Sequence, residues 1–424
     1  MNTICKCVLS QVLLYFCLSG CSHIPDNDRN TTKELQFIRE NIDFIAQQTT
    51  LMLETTGAPT GKNYPRSMND AGQLVTTGMY DWTPGFFPGS LWYLYELTGD
   101  SVWKDKAEQW TQTLEPLKTF TGHHDLGFMM YCSYGNANRL APKPEYKDIL
   151  LQSAYSLASR FSEETGCIKS WNHRVAWDGE TEWFYPVIID NMMNLEMLFF
   201  GAKTSGDKRL YDIAVTHANT TLQHHFREDF SSYHVVDYDT VTGVVKHRAT
   251  CQGFSDNSTW SRGQAWAIYG YTMMYRETKD AQYLDAAVNL AAYYLSHLPE
   301  DLIPYWDFNA GEAGYTPDKD SYATQYWEKP KDVSAAAVVC AAFFDLATYT
   351  HRSEYTDKAI QMLHNLSSEK YRAELGKNAH FILMHSVGSI PHISEIDKPL
   401  VYADYYFLES LVKYTAFLRN FTSL

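Results

Sequence analysis

Asp190 is placed where a carboxyl group is costly to ionise. It follows the apolar run Val187-Ile188-Ile189 and precedes an apolar helix that opens with Met192-Met193. A carboxylate set there is desolvated, and desolvation raises its pKa toward the values a general acid needs. The competing use is a helix N-cap, since Asp190-Asn191-Met192-Met193 opens that helix. Asp125 stands beside His123 and His124 and just before Gly127. A His-His-Asp run can bind metal, but adjacent residues rarely ligate one ion together and no His-x-x-x-His completes the set. No metal site is therefore expected. A second carboxylate facing Asp190 is the more economical use, because two carboxylates in one site push their pKa values apart. A cap or turn role is the alternative for Asp125.

Other candidates cluster where the helical pattern breaks. Trp82 lies in Asp81-Trp82-Thr83-Pro84-Gly85-Phe86, Gln252 in Cys251-Gln252-Gly253-Phe254, and His234 in an aromatic segment. Arg262 follows Trp260 and precedes Trp266 by about one helical turn. A guanidinium fork beside indole rings suits a carboxylated sugar. The alternatives are a structural arginine paired with an internal acid, and for His234 a buried, satisfied histidine. Aromatic residues make up 15% of the chain, with 30 Tyr and 11 Trp. Their flat faces and polar edges suit sugar rings, although a large core uses them too.

The composition bounds the function classes. The 424 residues are 45% hydrophobic and 20% charged, which is globular and excludes a disordered or collagen-like chain. The formal charge of −15 repels phosphate backbones and argues against a nucleic-acid partner.

The elements that must position these residues are helices. An aromatic-x-Asp-x-Ala pattern recurs: Trp103-x-Asp105-x-Ala107, Tyr283-x-Asp285-x-Ala287 and Tyr355-x-Asp357-x-Ala359, with weaker copies around Asp148 and Asp212. Asp100, Asp207 and Asp280 each stand five residues before a repeat Asp, where a turn should give way to an N-cap. Apolar residues follow at three- and four-residue spacing, so the unit is helix, tight turn, helix. The spacings of 43, 64, 73 and 72 residues are too unequal for a regular solenoid. They suit hairpins on a closed ring with long loops at one rim. Six fit the chain, giving an all-α (α/α)6 toroid as one domain over residues 34–424. The loop 229–261 alternates and is expected to form a short β-hairpin.

The N-terminus reads as an address. Lys6 is followed by an eleven-residue apolar run, 8–18, too short to cross a bilayer but of signal-peptide proportions. Leu18-Ser19-Gly20-Cys21 resembles a bacterial lipobox, which implies cleavage after residue 20 and acylation of Cys21. Residues 21–33 then serve as a tether, and the acyl chains are a firm membrane anchor. The expected location is the outer membrane facing the periplasm, with the cell surface as the alternative. Cys132, Cys167 and Cys340 sit in apolar settings and are expected to be core residues.

Five runs together resemble glycoside hydrolase family 88, the unsaturated glucuronyl hydrolases: DWTPGFFPGSLWYLYELTGD, HHDLGFMMYCSYG, VIIDNMMNLEML, SDNSTWSRGQAWAIYGY and SEIDKPLVYADYYFLESL. The resemblance spans nearly the whole chain beyond the signal. It implies an (α/α)6 barrel, no cofactor, and substrates that polysaccharide lyases have left with a C4=C5 double bond in the terminal uronate. By that resemblance Asp190 protonates C4 and then helps activate water, while Asp125 binds the glycon and keeps Asp190 protonated. Trp82 and Trp266 face the sugar, and His124, His234, Gln252 and Arg262 are polar contacts. Cys251 stands where the family usually has His. The sulfate-binding pattern Ser-x-x-Ser-x-Lys has Ser386-x-x-Ser389-x-Pro391 as its counterpart, so Ser386 is retained as a contact while the lysine is missing. Ulvan and glycosaminoglycan fragments are the expected substrate classes. The alternatives are an unsaturated rhamnogalacturonyl hydrolase, a non-catalytic oligosaccharide-binding lipoprotein, and an epimerase, which would call for a His pair.

Overall fold

Three hairpin turns in this protein are built alike, and a fourth differs only in its cap. The computed structural model describes residues 26–422 apart from 320 and 327. Its helices are α1 (Asp26–Thr56), α2 (Phe86–Thr98), α3 (Ser101–Gln112), α4 (Leu126–Met130), α5 (Asn136–Leu140), α6 (Pro144–Ala158), α7 (Leu195–Ser205), α8 (Lys208–His224), α9 (Ser261–Thr278), α10 (Ala281–Ser296), the short α11 (Tyr322–Gln325), α12 (Val333–Thr350), α13 (Ser353–Leu366) and α14 (Val401–Thr422). Between α2 and α3 the turn is Gly99, at φ 71°, followed by Asp100, whose side chain accepts from Val102 N at 2.9 Å. Gly206–Asp207 and Lys279–Asp280 repeat this, with caps to Arg209 N at 3.0 Å and Gln282 N at 3.1 Å. At α12–α13 the left-handed residue is His351, and Arg352 stands at the cap position without a side-chain bond. The three N-caps expected at Asp100, Asp207 and Asp280 are all formed.

The ring closes through its inner helices. α9 packs on α12, α12 on α14 and α14 on α2, and the circuit returns to α9 through α4, a π-helical turn (Tyr131–Gly135) and α7. α3, α6, α8, α10 and α13 back these on the outside. The sixth hairpin joins the two ends of the described chain, with α1 lying against α14. This is the (α/α)6 barrel. α12 is buried along Val333–Phe344 between its neighbours, which accounts for its apolar composition. Residues 1–25, with the apolar run and Cys21, lie outside the described residues. Residues 26–33 of the expected tether are helical, as the start of α1.

One rim carries the strands. Pro186–Ile188, Val235–Tyr238 and Val245–Ala249 form an antiparallel sheet, with Ile188 opposite Val235 and Val235 opposite Ala249. The expected hairpin within 229–261 thus gains a third strand from the segment leading into Asp190. A second hairpin pairs Ser386–Ser389 with Ser394–Lys398. Its return strand is irregular: Glu395 and Asp397 within it, and Ile393 just before it, have positive φ of 54°, 54° and 52°. Such values in non-glycine residues are uncommon and cluster at functional sites. Cys132, Cys167, Cys251 and Cys340 are free and buried.

Candidate active site

The strand Pro186–Ile188 ends in a 3-10 turn, Ile189–Asn194, whose first turn holds Asp190. Ile189 N donates to His234 O at 3.0 Å, so sheet pairing sets His234 beside Asp190. The N-cap alternative for Asp190 is not realised, because Ile188 occupies the cap. Asp190 is 7% exposed. Burial, and then the charge of Asp125, push its carboxyl up to about 7, against opposing pulls from Arg262 and Trp266.

Asp125 stands at the N-cap of α4 but makes no cap hydrogen bond. Its oxygens lie 3.0 Å from His123 Nδ1 and 3.3 Å from His124 Nε2. Burial alone would raise its pKa, yet His124 and His123 together hold it below the usual carboxylate value. His124 is itself fully buried and pushed down to about 4. Gly127 permits this arrangement. A Cβ there would stand 2.4 Å from Asn194 Oδ1 and 2.5 Å from Asn194 Cα, and Phe128 N donates to the same Oδ1 at 2.9 Å. The turn carrying Asp125 is thereby locked onto the turn carrying Asp190. One carboxyl is raised, its neighbour lowered, and both line one cleft of about 250 Å3. That combination can donate a proton near neutral pH and hold a developing positive charge.

His234 sits beneath Asp190, 3% exposed. Its Nδ1 accepts from the backbone N–H of Cys251 at 3.0 Å and of Gln252 at 3.2 Å. In a neutral imidazole the proton is then on Nε2, the nitrogen that faces Asp190. Burial and the Arg262 charge depress its pKa, which keeps it neutral.

Of the residues expected from the sequence, Asp125, Asp190, Trp82, Gln252 and Arg262 line the cleft. Trp82 packs on Tyr402 with ring centres 4.8 Å apart. Gln252 Nε2 donates to Gly388 O at 3.1 Å. His124, His234 and Trp266 do not line it; they are buried behind the two carboxylates. In this position they bear on Asp125 and Asp190 rather than on the open face of the cleft. Trp266 is fully buried.

Arg262 has an internal acid partner, as the structural alternative requires. Its Nη1 donates to Asp332 at 2.6 Å, to Ser334 Oγ at 3.2 Å and to Val387 O, and its Nη2 donates to Gly388 O at 2.8 Å. The guanidinium lies over Trp260 at 4.5 Å. Nη1 and Nη2 are thus engaged inside the protein, the internally paired alternative, while the side chain still lines the cleft and supplies it with positive field. Ser386 is buried on the hairpin, has no hydrogen-bond partner for its hydroxyl among the described residues and is absent from the cleft wall. Ser389 lines the cleft instead.

The residues missed are Arg66, Trp171, Arg174, His392, Glu395 and Tyr402, all on the cleft wall. Arg66 donates to Glu395 at 2.6 Å and to Asp81, tying the hairpin to the barrel. These partners are far apart in sequence, and no local spacing marks them.

A profile of glycosyl hydrolase family 88 matches residues 61–311. The chain belongs to this family. An unsaturated glucuronyl hydrolase of Formosa agariphila (strain DSM 15362 / KCTC 12365 / LMG 23005 / KMM 3901 / M-2Alg 35-1) is 49% identical over 82% of this chain and 84% of its own. An unsaturated chondroitin disaccharide hydrolase of Streptococcus pyogenes serotype M1 is 31% identical over 83% and 86%. The crystal structure of an unsaturated glucuronyl hydrolase specific for heparin superposes with a TM-score of 0.82 at 42% identity, covering 91% of this chain and 98% of that one. This family 88 chain is accordingly a glycoside hydrolase.

Proposed function

We propose that this enzyme removes the 4,5-unsaturated uronate from the non-reducing end of oligosaccharides produced by polysaccharide lyases. The observation that carries the reading is the buried Asp190 carboxyl, raised to about 7 beside the ionised Asp125 at the floor of the cleft. In the substrate C4=C5–O5 is an enol ether. Asp190 gives its proton to C4, and the positive charge that forms at C5 is shared with the ring oxygen and stabilised by Asp125. The Asp190 carboxylate left behind takes a proton from the water that adds at C5. The resulting hemiketal opens, and the aglycon leaves without attack at the anomeric carbon. This use of two carboxylates is distinct from ordinary retaining or inverting hydrolysis.

The relatives support glycosaminoglycan fragments, and the 49% identical Formosa protein supports an unsaturated glucuronide in particular. Ulvan fragments stand on the sequence reading alone. The test is a panel of lyase digests scored for loss of the double-bond absorbance, with Asp190→Asn alongside. Turnover by the wild type and its abolition in the variant support the reading. Turnover of rhamnogalacturonan fragments alone would replace it with the sister activity, and binding without turnover would make the protein a carbohydrate-binding one. Acylation at Cys21 is proposed with it: Cys21→Ala should move the protein from the membrane to the soluble fraction.

A further inference from the structure

Three arginines line the cleft, and two are neutralised by protein acids. Arg66 is held by Glu395 and Asp81, and Arg262 by Asp332. Arg174 has no acidic partner among the described residues. It lies over the Trp171 ring at 4.6 Å and meets His392 Nε2 at 3.1 Å.

The bonding around His392 leaves a second donor unspent. Arginine only donates, so His392 Nε2 must accept, and in a neutral imidazole the proton then sits on Nδ1. Burial and the Arg174 charge both favour that neutral form. Nδ1–H donates to Ser389 Oγ at 2.7 Å. The hydroxyl hydrogen of Ser389 is therefore free, and Ser389, 7% exposed, lines the same cleft. The remaining Arg174 N–H groups and the Ser389 O–H thus border a space shared with Trp171, with no acceptor for them among the described residues. Groups of this kind fit a ligand that only accepts hydrogen bonds.

We propose that Arg174, with Ser389, binds a sulfate ester on the sugar that follows the unsaturated uronate. This rests on the proposed hydrolase reading. Position favours that sugar over the uronate itself. Asp125 and Asp190, 8% and 7% exposed, form the floor that the terminal uronate must reach to be protonated. Arg174 is half-buried on a short strand pair, Arg174–Val175 with Glu182–Trp183, whose neighbours Asn172, His173 and Val175 are exposed. It therefore stands at the rim, where the second sugar lies. A protein of net charge −15 gains most from such a local cation when its ligand is anionic.

The test compares matched unsaturated disaccharides with and without sulfate on the second sugar. Arg174→Gln should lower the sulfated-to-unsulfated ratio of kcat/KM by about tenfold or more, the value of one or two charge-assisted hydrogen bonds. The loss should appear in KM, Arg174→Lys should recover part of it, and Ser389→Ala should lower the same ratio less. Calorimetric binding of both disaccharides to Asp190→Asn should show the same selectivity. A ratio unchanged by Arg174→Gln overturns the assignment. If both substrates weaken in parallel, Arg174 reads the uronate carboxylate, and the assignment to the second sugar is wrong. Failure of the wild type to bind or turn over either disaccharide would overturn the hydrolase reading on which this rests.

Discussion

Oδ2 of Asp190 lies 3.7 Å from Nε2 of His234, and neither atom has a hydrogen-bond partner among the described residues. The backbone amides of Cys251 and Gln252 fix the imidazole proton on the side facing Asp190. At that distance the N–H neither bonds the carboxyl nor takes its proton. Asp190 is buried, close to a donor and still free to give its hydrogen to a ligand.

The pH dependence follows from the two carboxyls. Asp190 must be protonated, so kcat/KM is expected to fall as pH rises through about 7. Asp125 must be ionised and is held low, which puts the acid limb below the ordinary carboxylate range. Because the Asp125 charge helps raise Asp190, Asp125→Asn should shift the alkaline limb to lower pH, by about one unit, besides slowing the reaction. A pH–rate profile with an unmoved limb in that variant would separate the two residues.

Asp190 should also carry a stability cost. Its folded pKa is raised, so its contribution is most favourable below the unfolded value near 4 and is lost as pH rises toward 7. Above pH 7 the cost is on the order of 2–4 kcal/mol. Asp190→Asn should therefore raise the denaturation midpoint at pH 8, with the gain shrinking toward pH 4. A gain independent of pH would contradict the raised pKa.

Arg262 is a structural cation on this account. Arg262→Gln leaves Asp332, which is fully buried, without its charge partner. Breaking such a pair costs about 3–5 kcal/mol. The variant should lose thermal stability together with activity. A variant of wild-type stability with only a raised KM would restore the ligand-fork role.

Gly388 is a further point of leverage. A Cβ there would stand 2.4 Å from Glu395 Oε2 and 3.1 Å from Ser394 O, while its carbonyl accepts from both Arg262 and Gln252. Gly388→Ala should displace Glu395 from Arg66 and raise KM by about tenfold or more, with a fold loss of about 1–3 kcal/mol. Unchanged kinetics would show that the hairpin has slack.

What was legible in the sequence was whatever sits in one stretch of chain. Asp100, Asp207 and Asp280 announce their caps because an N-cap is a local motif. Asp190 is visible because three apolar residues precede it, and Asp125 because two histidines do. The cleft wall was not legible, since residues 66, 174 and 392 meet only when three separate loops fold over one rim. Ser386 was named through a motif counterpart, and a motif does not say which of its residues faces the cleft: the register of the hairpin shifts between Ser386 and Val387, and Ser389 is the serine on the cleft wall. For Arg262 the residue type fitted two roles equally well, and only the position of Asp332, 70 residues on, decides between them.

The central claim is that Asp190 delivers its proton to an alkene carbon, and it is tested most directly by following aglycon release from paired disaccharides that differ only in the C4=C5 bond. Release is expected from the unsaturated member alone, in step with the loss of its absorbance, and from neither member with Asp190→Asn. Cleavage of the saturated member at a comparable rate, or wild-type turnover by the variant, would contradict it.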